Sequence, residues 1–127
     1  MTGVVLDAGA LIALERNDRS VWAALKLAAV RSAEVVVPST ALAQVWRGTR
    51  VQAELAKALQ FCVIASFDPV ARSVGELCSR SKTKDICDAH VAIIAADHGE
   101  ILYTSDPHDL RRLLLAYGRR RPAIIVC

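Results

Sequence analysis

Short, almost continuously apolar runs recur along this chain, each followed by a stretch of helical periodicity. The runs fall at 4–6, 34–37, 62–66, 101–103 and 123–126. They are too short for helices and lack the polar alternation of a half-exposed strand. A strand apolar at nearly every position is buried on both faces, as in a parallel sheet covered by helices. Parallel strands need crossovers long enough to hold a helix, and the intervening segments provide them. The pattern predicts a single α/β domain over residues 1–127, with about five parallel strands and helices on both faces. Hydrophobic residues make up 54% of the chain and aromatics 5%. The core must therefore be built from Ala, Leu, Val and Ile, which suits close packing of helix on sheet.

The helices are expected at Ala8–Glu15, Val21–Arg31, Ser39 or Thr40 to Arg47, Gln52–Leu59, Pro69 to about Ser79, Ile86–Asp97 and Pro107 to about Tyr117. Ser20, Ser39 or Thr40, and Asp68 are the expected N-caps, because a short oxygen-bearing side chain can accept from a free amide of the first turn. Pro69 and Pro107 suit a first helical position. Gly48 is the expected stop for the third helix. The polar stretch Arg80–Lys84 reads as a loop.

Aspartates mark the places where this fold gathers ligands. Asp7 follows the first apolar run, Asp85 and Asp88 open a helix, and Asp106 follows the fourth run. In open parallel sheets the carboxyl ends of the strands form the binding edge. Capping alone accounts for one aspartate at a helix start, and Asp7, Asp85 or Asp106 could each be that. Asp88 lies three residues after Asp85 on the same helical face, and capping does not require it. Like charges gathered at one edge repel unless neutralised, and a hard divalent cation, Mg²⁺ or Mn²⁺, is the usual neutraliser. Such an ion can activate water and clamp phosphoryl oxygens, so the expected reaction is phosphodiester hydrolysis. The net charge of +3 is slight, yet an acidic cluster leaves the remaining surface more basic than that total.

Other candidates are weaker. Arg47, Arg50, Lys82 and Lys84 flank the expected acidic edge and suit phosphate contacts with RNA. Asp109 and Glu15 read as peripheral, Asp109 being expected on the solvent side of its helix, near Arg112. His108 is within reach of a phosphate; His90, on an Ala-rich helix, reads as packing. Trp22 and Trp46 suit core or dimer packing better than base stacking. Arg119-Arg120-Arg121 precedes a strand and so should lie far from the site. Cys87-x-x-His90 has one half of a zinc pattern and no second half. Cys62, Cys78, Cys87 and Cys127 read as buried free thiols. No run approaches the length of a membrane span, and the first residues lack the features of a signal peptide and read as the first strand. A soluble, cytoplasmic protein is expected.

Four segments resemble, in order, the motifs of PIN-domain ribonucleases. They are Val5-Leu6-Asp7-Ala8-Gly9-Ala10-Leu11, Val37-Pro38-Ser39-Thr40-Ala41-Leu42-Ala43-Gln44-Val45-Trp46, Asp85-Ile86-Cys87-Asp88-Ala89-His90 and Tyr103-Thr104-Ser105-Asp106-Pro107. The set spans essentially the whole chain. It is most similar to the VapC-type toxins of bacterial, especially actinobacterial, toxin–antitoxin pairs. The resemblance implies a PIN-like three-layer sandwich and a Mg²⁺- or Mn²⁺-dependent endoribonuclease, with tRNA or rRNA among the candidate targets. It also implies a homodimer and a cognate VapB-type antitoxin. It makes Asp7, Asp88 and Asp106 metal-site carboxylates, Asp85 an auxiliary acid, and Thr104 a hydroxyl beside the metal waters. One departure stands out. The second motif usually carries a glutamate where this chain has Gln44, an uncharged amide. A PIN-like domain that binds RNA or antitoxin without cutting is therefore the alternative. Haloacid-dehalogenase-like phosphatases need a second aspartate two residues after the first, and Gly9 stands there. Receiver domains need an aspartate after the third strand, and neither Val37-Pro38 nor Ser66-Phe67 provides one.

Overall fold

The strands form one all-parallel sheet in the order β3-β2-β1-β4-β5. They are β1 (Gly3–Leu6), β2 (Val35–Pro38), β3 (Val63–Ala65), β4 (Gly99–Thr104) and β5 (Ala123–Val126). The computed structural model describes residues 3–127, so Met1 and Thr2 of the expected first strand lie outside the described residues. The helices are α1 (Ala8–Glu15), α2 (Arg19–Val30), α3 (Ser39–Val45), α4 (Ala53–Leu59), α5 (Ala71–Ser81), α6 (Ile86–His98) and α7 (Pro107–Tyr117). Short 3-10 turns at Arg50–Gln52 and Asp68–Val70 precede α4 and α5.

Topology sorts the helices into layers. The chain steps from β1 to β2 to β3 in one direction across the sheet, then from β3 to β4 to β5 in the other. Right-handed crossovers in opposite directions put their helices on opposite faces. Accordingly α1 packs with α2, α3 and α4, while α5, α6 and α7 pack with one another. The expected three-layer α/β sandwich is the architecture found. The strand order reverses between β1 and β4, and at their carboxyl ends the crossovers diverge and leave a crevice.

The core follows the composition. Val5, Leu6, Val37 and Leu102 of the central strands are buried, as are Leu11 and Leu14 of α1. Helix α6 is buried at every position from Ala89 to Ala96, wedged between the sheet and its helical neighbours. Ala89, Ala92, Ala95 and Ala96 let it approach on several sides. Each fully buried Leu or Ile is worth roughly 1.5–3 kcal/mol relative to exposure, and these apolar contacts hold α6, and with it Asp88, against the sheet.

Several local expectations are corrected. Asp18, not Ser20, caps α2; its Oδ1 accepts from the amides of Ser20 and Val21. Neither Ser39 nor Thr40 caps α3. The Ser39 hydroxyl instead accepts from the Phe67 amide, and Thr40 pairs with His90. The helix begins at Ser39 with Pro38 at the cap position, so both residues stand inside the first turn and their hydroxyls take partners distant in sequence. Helix α3 stops at Val45, before Gly48 is reached. Asp68-Pro69 opens a 3-10 turn in place of an α-helix, and no side chain caps α5. The cysteines are half-buried free thiols, more exposed than expected. No helix among the described residues is long and apolar enough to cross a membrane.

Candidate metal centre

Parallel pairing of β1 with β4 sets Leu6 against Tyr103, so the residues that follow each strand emerge side by side. The Asp7 amide donates to the Tyr103 carbonyl at 3.2 Å, carrying the pairing one residue past the strand end. Asp7 and Asp106 thus reach the crevice at the reversal point. Helix α6 ends where β4 begins, so it runs back along the sheet and its first turn, with Asp85 and Asp88, lies at that same edge. Helix α7 starts there too. The amino ends of α1, α6 and α7 bring free amides and partial positive charge to one place, which favours carboxylates.

Close approach at Gly9 brings the turns after β1 and β4 into contact. A Cβ on Gly9 would sit 1.9 Å from the Ser105 hydroxyl oxygen and 3.1 Å from the Ser105 backbone nitrogen. No side chain fits there without moving the turn after β4. The glycine therefore lets the turns carrying Asp7 and Asp106 touch.

The aspartates divide by what their oxygens do. Asp7 caps α1, accepting from the Ala10 amide at 2.9 Å, and is only 4% exposed. Burial raises its pKa; the Thr104 hydroxyl and the amides of Ala10, Gly9 and Ser105 oppose that rise without cancelling it. Asp85 caps α6, accepting from the Asp88 amide at 2.9 Å. Asp106 occupies the N-cap position of α7 but its side chain makes no capping bond. Its own amide donates to the Thr104 hydroxyl at 2.9 Å. Thr104, fully buried, thus ties Asp7 to the Asp106 turn.

Asp88 and Asp106 meet a third acid, Asp109. One carboxylate oxygen from each lies within 4.8 Å of the other two. The expectation that Asp109 faces solvent near Arg112 is corrected: it is half-buried beside Asp106, and Arg112 instead donates to the Ser81 carbonyl. The signal was present in the sequence. Asp109 follows Asp106 by three residues, the spacing that puts Asp88 on one face with Asp85. Asp7 is not one of these three, but its charge reaches Asp88. Burial, then the charges of Asp85 and Asp106, push the Asp88 carboxyl up to about 7; a hydrogen bond to Asp85 and the charge of Asp7 act the same way. Burial and the neighbouring Asp109 raise Asp106 too. Oxygen-only donors at this spacing, carrying more negative charge than they can hold ionised together, suit a hard divalent cation.

No protein-family model, curated protein or solved structure matches this chain.

The remaining candidates fall into place around the cluster. Gln44 is exposed on the last turn of α3 and lines a groove of about 700 Å³ that also touches Gly9 and Ser105, outside the acidic cluster. Arg47 lines the same groove. Lys82 and Lys84 are exposed on the loop leading to Asp85, and Arg50 is exposed before α4. His108 is exposed beside Asp106 and its charge lowers that carboxyl's pKa. His90 is fully buried, its Nδ1 2.8 Å from the Thr40 hydroxyl and its ring edge-on to Phe67. The basic turn is tied to the far end of α6: Arg119 pairs with Asp97 at 3.8 Å, and Arg120 donates to the Gly99 carbonyl.

Proposed function

We propose that this chain is a divalent-metal-dependent endoribonuclease of PIN type, the toxin member of a toxin–antitoxin pair. The observation that carries the reading is the meeting of Asp88, Asp106 and Asp109 in the crevice at the sheet's reversal point, next to the buried Asp7. Helix capping accounts for Asp7 and Asp85 but not for Asp88 or Asp109.

The residues fit Mg²⁺ or Mn²⁺. The donors are all carboxylate oxygens, and without a counter-charge Asp88 is pushed up to about 7, so it resists full ionisation at neutral pH. Asp88, Asp106 and Asp109 would hold the ion, with Asp7 adding charge from behind. When bound, such an ion lowers the pKa of water and neutralises charge on the phosphoryl oxygens. The chain's own groups have separate tasks. Thr104 fixes the spacing of Asp7 and Asp106 through its hydroxyl. Asp85 caps the helix that carries Asp88, accepting from the Asp88 amide, and so fixes where that carboxylate stands. Lys82, Lys84 and Arg50 are exposed cations available to phosphates of an RNA strand. The VapB-type antitoxin, the homodimer and the cytoplasmic location belong to this reading through the sequence resemblance.

A second reading rests on Gln44. A PIN-like domain lacking the usual glutamate on that groove wall would bind RNA or antitoxin and not cut. The purified chain is incubated with a labelled RNA pool and Mg²⁺ or Mn²⁺, with EDTA and Asp7→Asn controls. Discrete fragments that vanish in both controls are the expected result. If folded wild-type protein leaves every RNA intact and Gln44→Glu gains cleavage, the binding-only reading holds instead.

A further inference from the structure

Gln52 is a buried polar side chain with every hydrogen-bonding position in use. It closes the 3-10 turn before α4 and is 4% exposed. Its Oε1 accepts from the amides of Arg47 at 2.7 Å and Gly48 at 3.1 Å. Its Nε2 donates to the Val45 carbonyl and to Glu15 Oε1, both at 2.8 Å. A primary amide has two donors and two acceptor positions, and here all are taken. The bonds converge on the segment 45–48, which leaves α3 and turns through Gly48 at a φ of 72°.

That segment forms one wall of the groove that opens beside the acidic cluster. Gly9 and Ser105 line the groove next to the Asp7 and Asp106 turns, while Arg16 and Arg47 line it further out. Neither arginine pairs with an acid among the described residues. Glu15, the acid in the same groove, is held by Gln52. One amide thus anchors the backbone that carries Arg47 and holds the Glu15 carboxylate of the same groove. Arg47 Nη1 donates to the Ala43 and Trp46 carbonyls, and its remaining donors face the groove unpaired with any acid among the described residues. Glutamate at this position would lose both donors and set a second carboxylate against Glu15. Leucine would leave the amides of Arg47 and Gly48 unpaired.

We propose that Gln52 is a positioning residue for the nucleic-acid strand, acting through Arg47 on the phosphates that leave the acidic cluster along this groove. The role rests on the nuclease reading for its substrate class. It requires Arg47 to contact the strand and Gln52 to matter only while Arg47 is present.

The test compares wild type with Gln52→Leu, Arg47→Gln and the double variant. A fluorescein-labelled single-stranded RNA is titrated in EDTA, where nothing is cut, and cleavage is then followed in Mn²⁺. Each single variant is expected to raise Kd and KM about 10-fold with kcat within about twofold, the sign of lost uniform binding. The double variant is expected to match Arg47→Gln alone, as residues acting through one contact do. Hydrogen exchange at the Arg47 and Gly48 amides is expected to quicken in Gln52→Leu. If that variant does not fold, Gln52→Asn, too short to keep all four bonds, takes its place with the same split expected. A folded Gln52 variant with unchanged Kd and KM, or a double variant showing the product of the two single effects, overturns the proposal. Wild type that binds the RNA but cuts nothing overturns the nuclease reading alone, since the EDTA titrations still decide on Gln52. Wild type that neither binds nor cuts overturns both.

Discussion

Single residues in the crevice carry charges that oppose folding. Asp88 sits among Asp85, Asp106 and Asp7, and each of them raises its pKa. Removing one charge should therefore stabilise the metal-free chain. Asp88→Asn is expected to raise Tm by about 2–6 °C at pH 8 in EDTA and to abolish RNA cleavage in Mn²⁺; thermal melts and a cleavage assay check the two together. A lower Tm in EDTA would mean that repulsion does not dominate at Asp88. Asp109 separates the present cluster from the aspartates picked out in the sequence. Asp109→Asn is expected to weaken Mn²⁺ binding, measured by calorimetry, at least 10-fold, and Asp85→Asn by much less. Equal losses would place Asp85 among the ligands. The sequence made Asp7, Asp88 and Asp106 legible because each stands where strand or helix periodicity begins or ends. Asp109 reads as peripheral in the sequence because one turn into a helix a residue faces solvent as often as ligand, and only the docking of α7 decides which.

Elements bring these residues together, and their contacts are where sequence reading loses detail. Strands and helices were legible because burial on both faces leaves an unbroken apolar run. Caps were less so. Ser39 and Thr40 have the chemistry of caps, but Phe67 and His90, distant in sequence, take their hydroxyls. Gln52 gave no signal because three of its bonds go to the irregular turn just before it, which no periodicity marks, and the fourth to Glu15, brought near by the packing of α1 on α4. Gly9 is the sharpest case of an element contact resting on a missing side chain. Gly9→Ala would force the start of α1 away from the Ser105 turn. Overpacking of this kind costs about 1–3 kcal/mol, and Tm should fall accordingly. The larger expected effect is on function: Asp7 would part from Thr104, and cleavage should drop by more than the loss of folded protein explains. Activity per folded molecule, with folding followed by circular dichroism, checks this; an unchanged value would mean that the two turns need not touch.

The whole molecule should register the acidic crevice as a pH dependence. Folded, the Asp88 carboxyl holds its proton up to about 7; unfolded, it releases it near about 3.9. The folded state then binds the proton more tightly. Its contribution to stability is complete below the unfolded value and is lost as pH rises through the folded one. Metal-free Tm is expected to decline between about pH 4 and 7 on this account. Mn²⁺ should restore more stability at pH 8 than at pH 5, because at pH 5 the ion must displace a proton. Melting curves at both pH values with and without Mn²⁺ check this, and an equal gain at both would show that the ion binds away from Asp88. The order of the elements along the chain has a last consequence. The cluster draws Asp88 from the start of α6 and Asp106 and Asp109 from the start of α7, and the packing of α6 against α7 brings them together. A nascent polypeptide still short of Asp106 has no acidic triad. On the nuclease reading proposed above, the cutting centre does not exist until α7 has been made and has packed on α6.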